Sequence, residues 1–159
     1  MGEILKDSFG RVHNYLRISI TERCNLRCTY CMPAEGIPLT PEDRLPSVDE
    51  LMEIVAVFQE MGVDKIRLTG GEPMARKELP EILHRLYDMG FRDLNITTNG
   101  VILDRHIDTF KEVGLTSVNV SLDTLDPDKF ERVTRRDRFN RVMSNIKQGM
   151  SEGLRIKIN

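Results

Sequence analysis

The chain has 159 residues, 30% of them charged, with a formal net charge of −2. That length supports one hydrophobic core; the charge balance gives no electrostatic case for nucleic acid or an acidic membrane surface, and no apolar run reaches the length of a membrane span. The start, Met1-Gly2-Glu3-Ile4, lacks the basic-then-apolar profile of an export signal or a myristoylation offset, so the expected setting is the reducing cytoplasm, with neither nucleic acid nor membrane as partner.

Taken in order, Tyr15 to Ile20 alternates, with Leu16, Ile18 and Ile20 in one phase and Arg17 and Ser19 in the other, which predicts a strand. The loop Cys24-Asn25-Leu26-Arg27-Cys28-Thr29-Tyr30-Cys31 follows, and then a stretch punctuated by Pro33, Pro38, Pro41 and Pro46 that reads as irregular. Ser47 and Glu50 form a capping box for a helix whose apolar stripe is Val48, Leu51, Ile54, Val55, Phe58 and Met61, ended by Gly62. From there a unit of helix, glycine and strand recurs. Strands are predicted at 65–69, 94–98, 117–122 and 154–159. The helices between them carry Leu79, Ile82, Leu83, Leu86 and Tyr87; Ile107, Phe110 and Val113; and Val142, Met143, Ile146 and Met150. A short helical turn is predicted after Asp126-Pro127. Alternating strands and helices argue a parallel α/β fold in a single domain, residues 1–159, with right-handed crossovers.

The strands are apolar in one phase only. Ile18, Ile66, Leu68, Ile96, Val118, Val120, Ile156 and Ile158 would face the helices, while Arg17, Ser19, Arg67, Thr69, Asn95, Thr97, Asn119, Ser121, Lys157 and Asn159 take the opposite phase. Parallel strands between two helical layers are apolar on both sides, so the pattern predicts a curved sheet enclosing a polar lumen. In such barrels sites lie at the C-terminal strand ends, where the cysteine loop leaves the first strand. Three further turns lie at such ends: Thr69-Gly70-Gly71-Glu72-Pro73, Thr97-Thr98-Asn99-Gly100 and Ser121-Leu122-Asp123. In the first, the glycines would let backbone approach a ligand and Glu72 would grip an ammonium; Asn-Gly in the second is an ordinary turn signal.

All three cysteines of the chain fall within eight residues, spaced x3 then x2. A disulfide would leave one over, zinc would need a fourth ligand from His13, His84 or His106, and buried free thiols would suit a more apolar segment. Three thiolates on a [4Fe–4S] cluster would leave one iron open to a non-protein ligand.

This Cys-x3-Cys-x2-Cys loop with Tyr30 before its last cysteine, followed by Gly70-Gly71-Glu72-Pro73, resembles the radical S-adenosylmethionine (SAM) superfamily. Within it, Phe9-Gly10-Arg11, the stretch from Tyr15 to Asn25, Ile66 to Pro73, Leu94 to Gly100 and Asn119 to Asp123 are similar to the GTP 3′,8-cyclases of molybdenum cofactor biosynthesis. The resemblance implies a partial parallel (β/α) barrel of the radical SAM type, incomplete at the C-terminus. It implies a [4Fe–4S] cluster and SAM as cofactors, with SAM cleaved to a 5′-deoxyadenosyl radical that takes the 3′ hydrogen of GTP before C3′ closes onto C8. By position it implies Cys24, Cys28 and Cys31 as cluster ligands, Tyr30 (backbone), Gly71 and Ser121 as SAM contacts, and Arg17, Arg67, Thr97 and Lys157 as GTP contacts. GTP is the implied substrate and an external reductant the implied donor, with a homodimer as a compatible assembly. Family members continue into a region with a second three-cysteine cluster, so this chain is expected to be an N-terminal portion. Another radical SAM activity, or a cluster-bearing fragment without chemistry of its own, remains an alternative.

Overall fold

In the computed structural model, residues 5–41 and 44–159 are described; the reading of residues 1–4 lies outside them. Five strands, β1 (Tyr15–Ser19), β2 (Lys65–Thr69), β3 (Asp93–Thr98), β4 (Ser117–Val120) and β5 (Ile156–Ile158), form one all-parallel sheet in the order β1-β2-β3-β4-β5. The connections carry helices α1 (Val48–Glu60), α2 (Leu79–Asp88), α3 (Ile107–Glu112), α4 (Pro127–Thr134) and α5 (Phe139–Ser151). A strand order that never reverses, with crossovers of one hand, puts every helix on the same side of the sheet. The alternation seen in the sequence is the local cause. Ile66, Leu68, Leu94, Ile96, Val118 and Val120 join the core with Val55, Leu79, Leu83, Leu86, Phe110 and Val142, and the other phase is left to polar side chains. Among the described residues the sheet is open, β1 pairing only with β2 and β5 only with β4, as a partial barrel requires.

The α1 start is the capping box expected. Ser47 Oγ accepts from Glu50 N at 3.2 Å, and Glu50 accepts from Ser47 N at 2.8 Å. The helix ends at Gly62, whose φ of 96° suits glycine, with Val63 N returning to Phe58 O at 3.0 Å. Ser47→Ala removes the hydroxyl that caps Glu50 N, leaving only the main-chain half of the box, and is expected to lower stability by about 1 kcal/mol, readable as an earlier urea midpoint with unchanged slope.

Several expectations are corrected. Ile54 is 48% exposed, and Met52 is buried instead, because a position six residues after Val48 has rotated out of the buried arc. Met150 is exposed and α5 presents Gly149 to β5, where a Cβ would stand 2.9 Å from Ile156 Cδ1. Ile158 is exposed, so Ile156 alone carries β5 into the core. The first strand stops at Ser19, and Ser121 and Leu122 lie beyond β4. Two 3₁₀ turns, Pro73–Ala75 and Leu103–His106, and an antiparallel bridge between Lys6 and Val12 were not legible in the periodicity.

Candidate active site

Two strand ends meet in one backbone knot. Beyond β1, Ile20 N donates to Thr69 O at 3.0 Å; beyond β2, Gly71 N donates to Thr21 O at 2.6 Å and Glu72 N to Arg23 O at 2.7 Å. A Cβ at Gly71 would lie 2.5 Å from the carbonyl oxygens of Glu22 and Arg23, and one at Gly70 would meet that of Thr21. The glycines are thus required by the approach of two stretches of main chain to each other, where the sequence suggested an approach to a ligand.

Glu72 is corrected in the same way. Its side chain is fully buried and accepts from Met74 N (3.0 Å), Thr98 Oγ1 (2.9 Å) and Asn99 N (2.8 Å), so it staples the turn after β2 to the end of β3 and is not offered to an ammonium group. Burial outweighs these three donors and holds its pKa above the ordinary glutamate value.

The cysteine loop is gripped from the far side by the end of α4. Arg27 N and Thr29 N donate to Thr134 O and Val133 O, at 3.0 and 2.8 Å. The Arg135 guanidinium donates to Arg27 O and Met32 O, at 3.0 and 2.9 Å. Arg135 adopts a left-handed conformation to cap α4, with φ of 54°. Tyr30 is exposed, and its hydroxyl donates to Asp123 Oδ2 at 2.8 Å, tying the loop to the segment after β4.

All three cysteines are free; Cys24 and Cys28 are half-buried and Cys31 is exposed. Burial is the largest cause raising the Cys24 and Cys28 thiol pKa values, and each of these thiols is raised further by the charge of Cys31, so the three sulfurs are electrostatic neighbours. Among the described residues no three His, Cys, Asp or Glu side chains converge on a single ion. A tetrahedral zinc would need sulfurs about 3.8 Å apart, whereas a [4Fe–4S] cubane gives each thiolate its own iron and a wider spacing. The histidines lie with other partners: His13 beside Asp7, His84 on Glu112 and His106 stacked on Phe110. Two N–H donors already face Cys24 Sγ, Leu26 N at 3.5 Å and Asn99 Nδ2 at 3.8 Å, which suits a sulfur that carries negative charge. The loop fits a cluster.

The polar phase forms rungs across the uncovered side of the sheet. Arg17, Arg67, Asn95 and Ser117 stand in register, as do Thr97, Asn119 and Lys157. Arg17 and Lys157 are exposed; Arg67, Thr97 and Ser121 are half-buried. Asn95, Ser117 and Asn119 are buried, more than a wet lining predicts; for the first two the cause is that Ser117 Oγ donates to Asn95 Oδ1 at 2.5 Å and Asn95 Nδ2 to Asp93 Oδ1 at 2.8 Å. Arg67 Nε and Asn119 Oδ1 are buried and have no partner, an arrangement that invites a ligand group on this side of the sheet. Arg67 also lies against the Tyr15 ring, 5.7 Å from its centroid. Ser121 N donates to Thr98 O at 2.8 Å, and Gly71 is exposed with its N–H already engaged.

Asn99 and Arg135 thus hold this region without having stood among the expected site residues; Asn119 was expected only as part of the polar face, and Glu72, expected as a ligand group, holds the region from within. Asn99 carried a signal, its place at a strand end beside the cysteines. Arg135 carried none, since its role depends on where α4 stops.

A profile of the Radical SAM superfamily matches residues 18–159. The chain is 50% identical over 161 residues to the mitochondrial GTP 3′,8-cyclase of Arabidopsis thaliana, covering 100% of this chain and 41% of that protein. It is likewise 50% identical over 157 residues to molybdenum cofactor biosynthesis protein 1 of Mus musculus, covering 98% of this chain and 25% of that one. The chain therefore spans less than half the length of these relatives. Streptococcus suis SuiB bound to S-adenosylmethionine superposes with a TM-score of 0.75 at 21% identity, over 92% of this chain and 32% of SuiB, a likeness of fold. No helix among the described residues is long and apolar enough to cross a membrane. With its cysteine loop, its unreversed parallel sheet and a superfamily match from β1 to the last residue, the chain belongs to the radical SAM superfamily, whose cofactors are a [4Fe–4S] cluster and S-adenosylmethionine.

Proposed function

We propose that this chain is the SAM-cleaving core of a GTP 3′,8-cyclase in molybdenum cofactor biosynthesis, with residues 1–159 as one core domain. The names of its relatives support the reaction. The observation that carries the substrate is the paired rung of Arg17 and Arg67, with Arg67 Nε buried and unpartnered. Guanidinium groups remain charged when desolvated and match phosphate oxygens bidentately, so two side by side suit a triphosphate.

In this reading Cys24, Cys28 and Cys31 hold the cluster, with release of their thiol protons on assembly. The Tyr30 main chain, Gly71 and Ser121 orient SAM, and Arg17, Arg67, Thr97 and Lys157 hold GTP. When bound, cluster and SAM supply a radical able to remove hydrogen from a sugar carbon. What the protein's own residues add is position: the Tyr30–Asp123 bond keeps the cysteine loop against the segment that carries Ser121, and the arginine rung fixes the phosphate end of the substrate. GTP and an external reductant are the partners, a homodimer is compatible, and three free thiols suit a reducing compartment such as the cytoplasm; the Arabidopsis relative is named as mitochondrial.

Arg17→Ala and Arg67→Ala in the full-length protein are expected to weaken GTP binding while cluster content stays at the parent level. Each lost charge-assisted bond is worth about 1.5–3 kcal/mol, or roughly tenfold or more in affinity. Calorimetric titration of GTP into the cluster-loaded variants reads this directly, and unchanged affinity in both would remove GTP from this rung.

A further inference from the structure

We propose that Asn99 is a positioning residue for the cluster: its side-chain amide donates a hydrogen bond to the cluster-bound sulfur of Cys24 and thereby raises the cluster's reduction potential. The main-chain N–H and both polar atoms of the Asn99 side chain are committed. Its main-chain N–H donates to Glu72 Oε2 at 2.8 Å, and its Oδ1 accepts from Val101 N at 3.1 Å. Its Nδ2 donates to Asn25 Oδ1 at 2.7 Å and to Cys24 Sγ at 3.8 Å. The amide cannot turn over, since Oδ1 would then face Asn25 Oδ1 and the NH₂ group would face the Val101 N–H.

The amide is therefore fixed by two loops and aimed at a third. The buried Glu72 sets the Asn99 main chain, the local turn to Val101 sets its side chain, and what remains is an N–H directed at sulfur. When an external reductant adds one electron to the cluster, negative charge on its thiolates grows, and a donor at Cys24 Sγ stabilises the reduced form more than the oxidised one. Removing that donor lowers the potential. The turn after β3 thus reaches the redox chemistry although it supplies no ligand.

The inference rests on the cluster assignment, and its test keeps the two apart. Parent, Asn99→Ser and Asn99→Asp chains are reconstituted anaerobically with iron and sulfide, assayed for cluster content, and titrated with dithionite under EPR detection. Serine is neutral and able to cap Val101 N, yet too short to reach the sulfur; aspartate keeps the capping oxygen and replaces only the donor. Both variants are expected to load the cluster and titrate at a more negative midpoint than the parent, Asp further than Ser. Asn99→Ser is also expected to lose one exchangeable-proton coupling seen in the parent by electron–nuclear double resonance in H₂O against D₂O. The parent midpoint in a loaded Ser variant overturns the inference, whatever the Asp variant shows, because added charge alone would explain the latter. If the parent loads and neither variant does, Asn99 serves the loop's fold, and the inference is equally overturned. Failure of the parent itself to load would overturn the cluster assignment and this inference with it.

Discussion

Replacing Cys24, Cys28 or Cys31 with alanine, one at a time, is expected to leave the reconstituted chain without its [4Fe–4S] absorbance, whereas the parent binds about one cluster. The loss should be complete in each case, because no fourth cysteine exists to substitute. It should also come without unfolding. Cys31 is exposed and Cys24 and Cys28 only half-buried, so the alanines remove little packing, and the loop stays gripped by Thr134, Val133 and Arg135 through main-chain oxygens and N–H groups. Iron and sulfide analysis beside far-ultraviolet circular dichroism separates loss of cluster from loss of fold. Stoichiometric zinc without iron–sulfur absorbance in the parent, under strictly anaerobic conditions, would contradict the assignment.

Glu72→Ala is expected to be the most damaging single change away from the cysteines. It leaves Met74 N, Asn99 N and the Thr98 hydroxyl without their acceptor at a site that excludes water. At about 1–3 kcal/mol for each unsatisfied buried donor, the loss reaches at least ~3 kcal/mol, a large share of a domain's stability. Urea unfolding of the apo chain measures it. Glu72→Gln separates charge from shape. Since burial raises the Glu72 pKa, the contribution of the group to stability is fully present below the ordinary value of 4.5 and is lost as pH rises through the folded value. The parent should therefore lose stability relative to Glu72→Gln as pH increases above 4.5; a constant difference would show that the carboxylate is no harder to ionise in the fold.

Much of this was legible in the residues, and the reasons are specific. Alternation at Arg17-Ile18-Ser19 and Lys65-Ile66-Arg67-Leu68-Thr69 gave both strand and face, because a period of two has no other reading in a segment so short. The Ser47–Glu50 box and the glycine after α1 placed that helix end to end. The cysteine spacing, three ligand atoms on one tight loop, pointed at one centre. What stayed hidden depends on contacts distant in sequence. Glu72 looked like a ligand group because an acid after two glycines is usually exposed; only the return of β3 buries it. Asn99 looked like a turn residue, which it is, and its second use appears only with Asn25 and Cys24 beside it. Buried Asn95 and Ser117 satisfy each other across strands, a pairing fixed by register and absent from either strand alone.

The main-chain contact between residues 21–23 and Gly70-Gly71 has a consequence for how chains of this kind can change length. Two stretches that meet through their own amides, with carbonyl oxygens where a Cβ would stand, tolerate neither an added nor a missing residue, since a shift of one position exchanges every donor for its neighbour. The connection from Pro33 toward Ser47 carries no such rule over much of its course, with prolines and few internal main-chain bonds among its described residues. Insertions and deletions should therefore gather in that connection, while the spacing from the first strand to the first cysteine, and from the second strand to Glu72, stays constant.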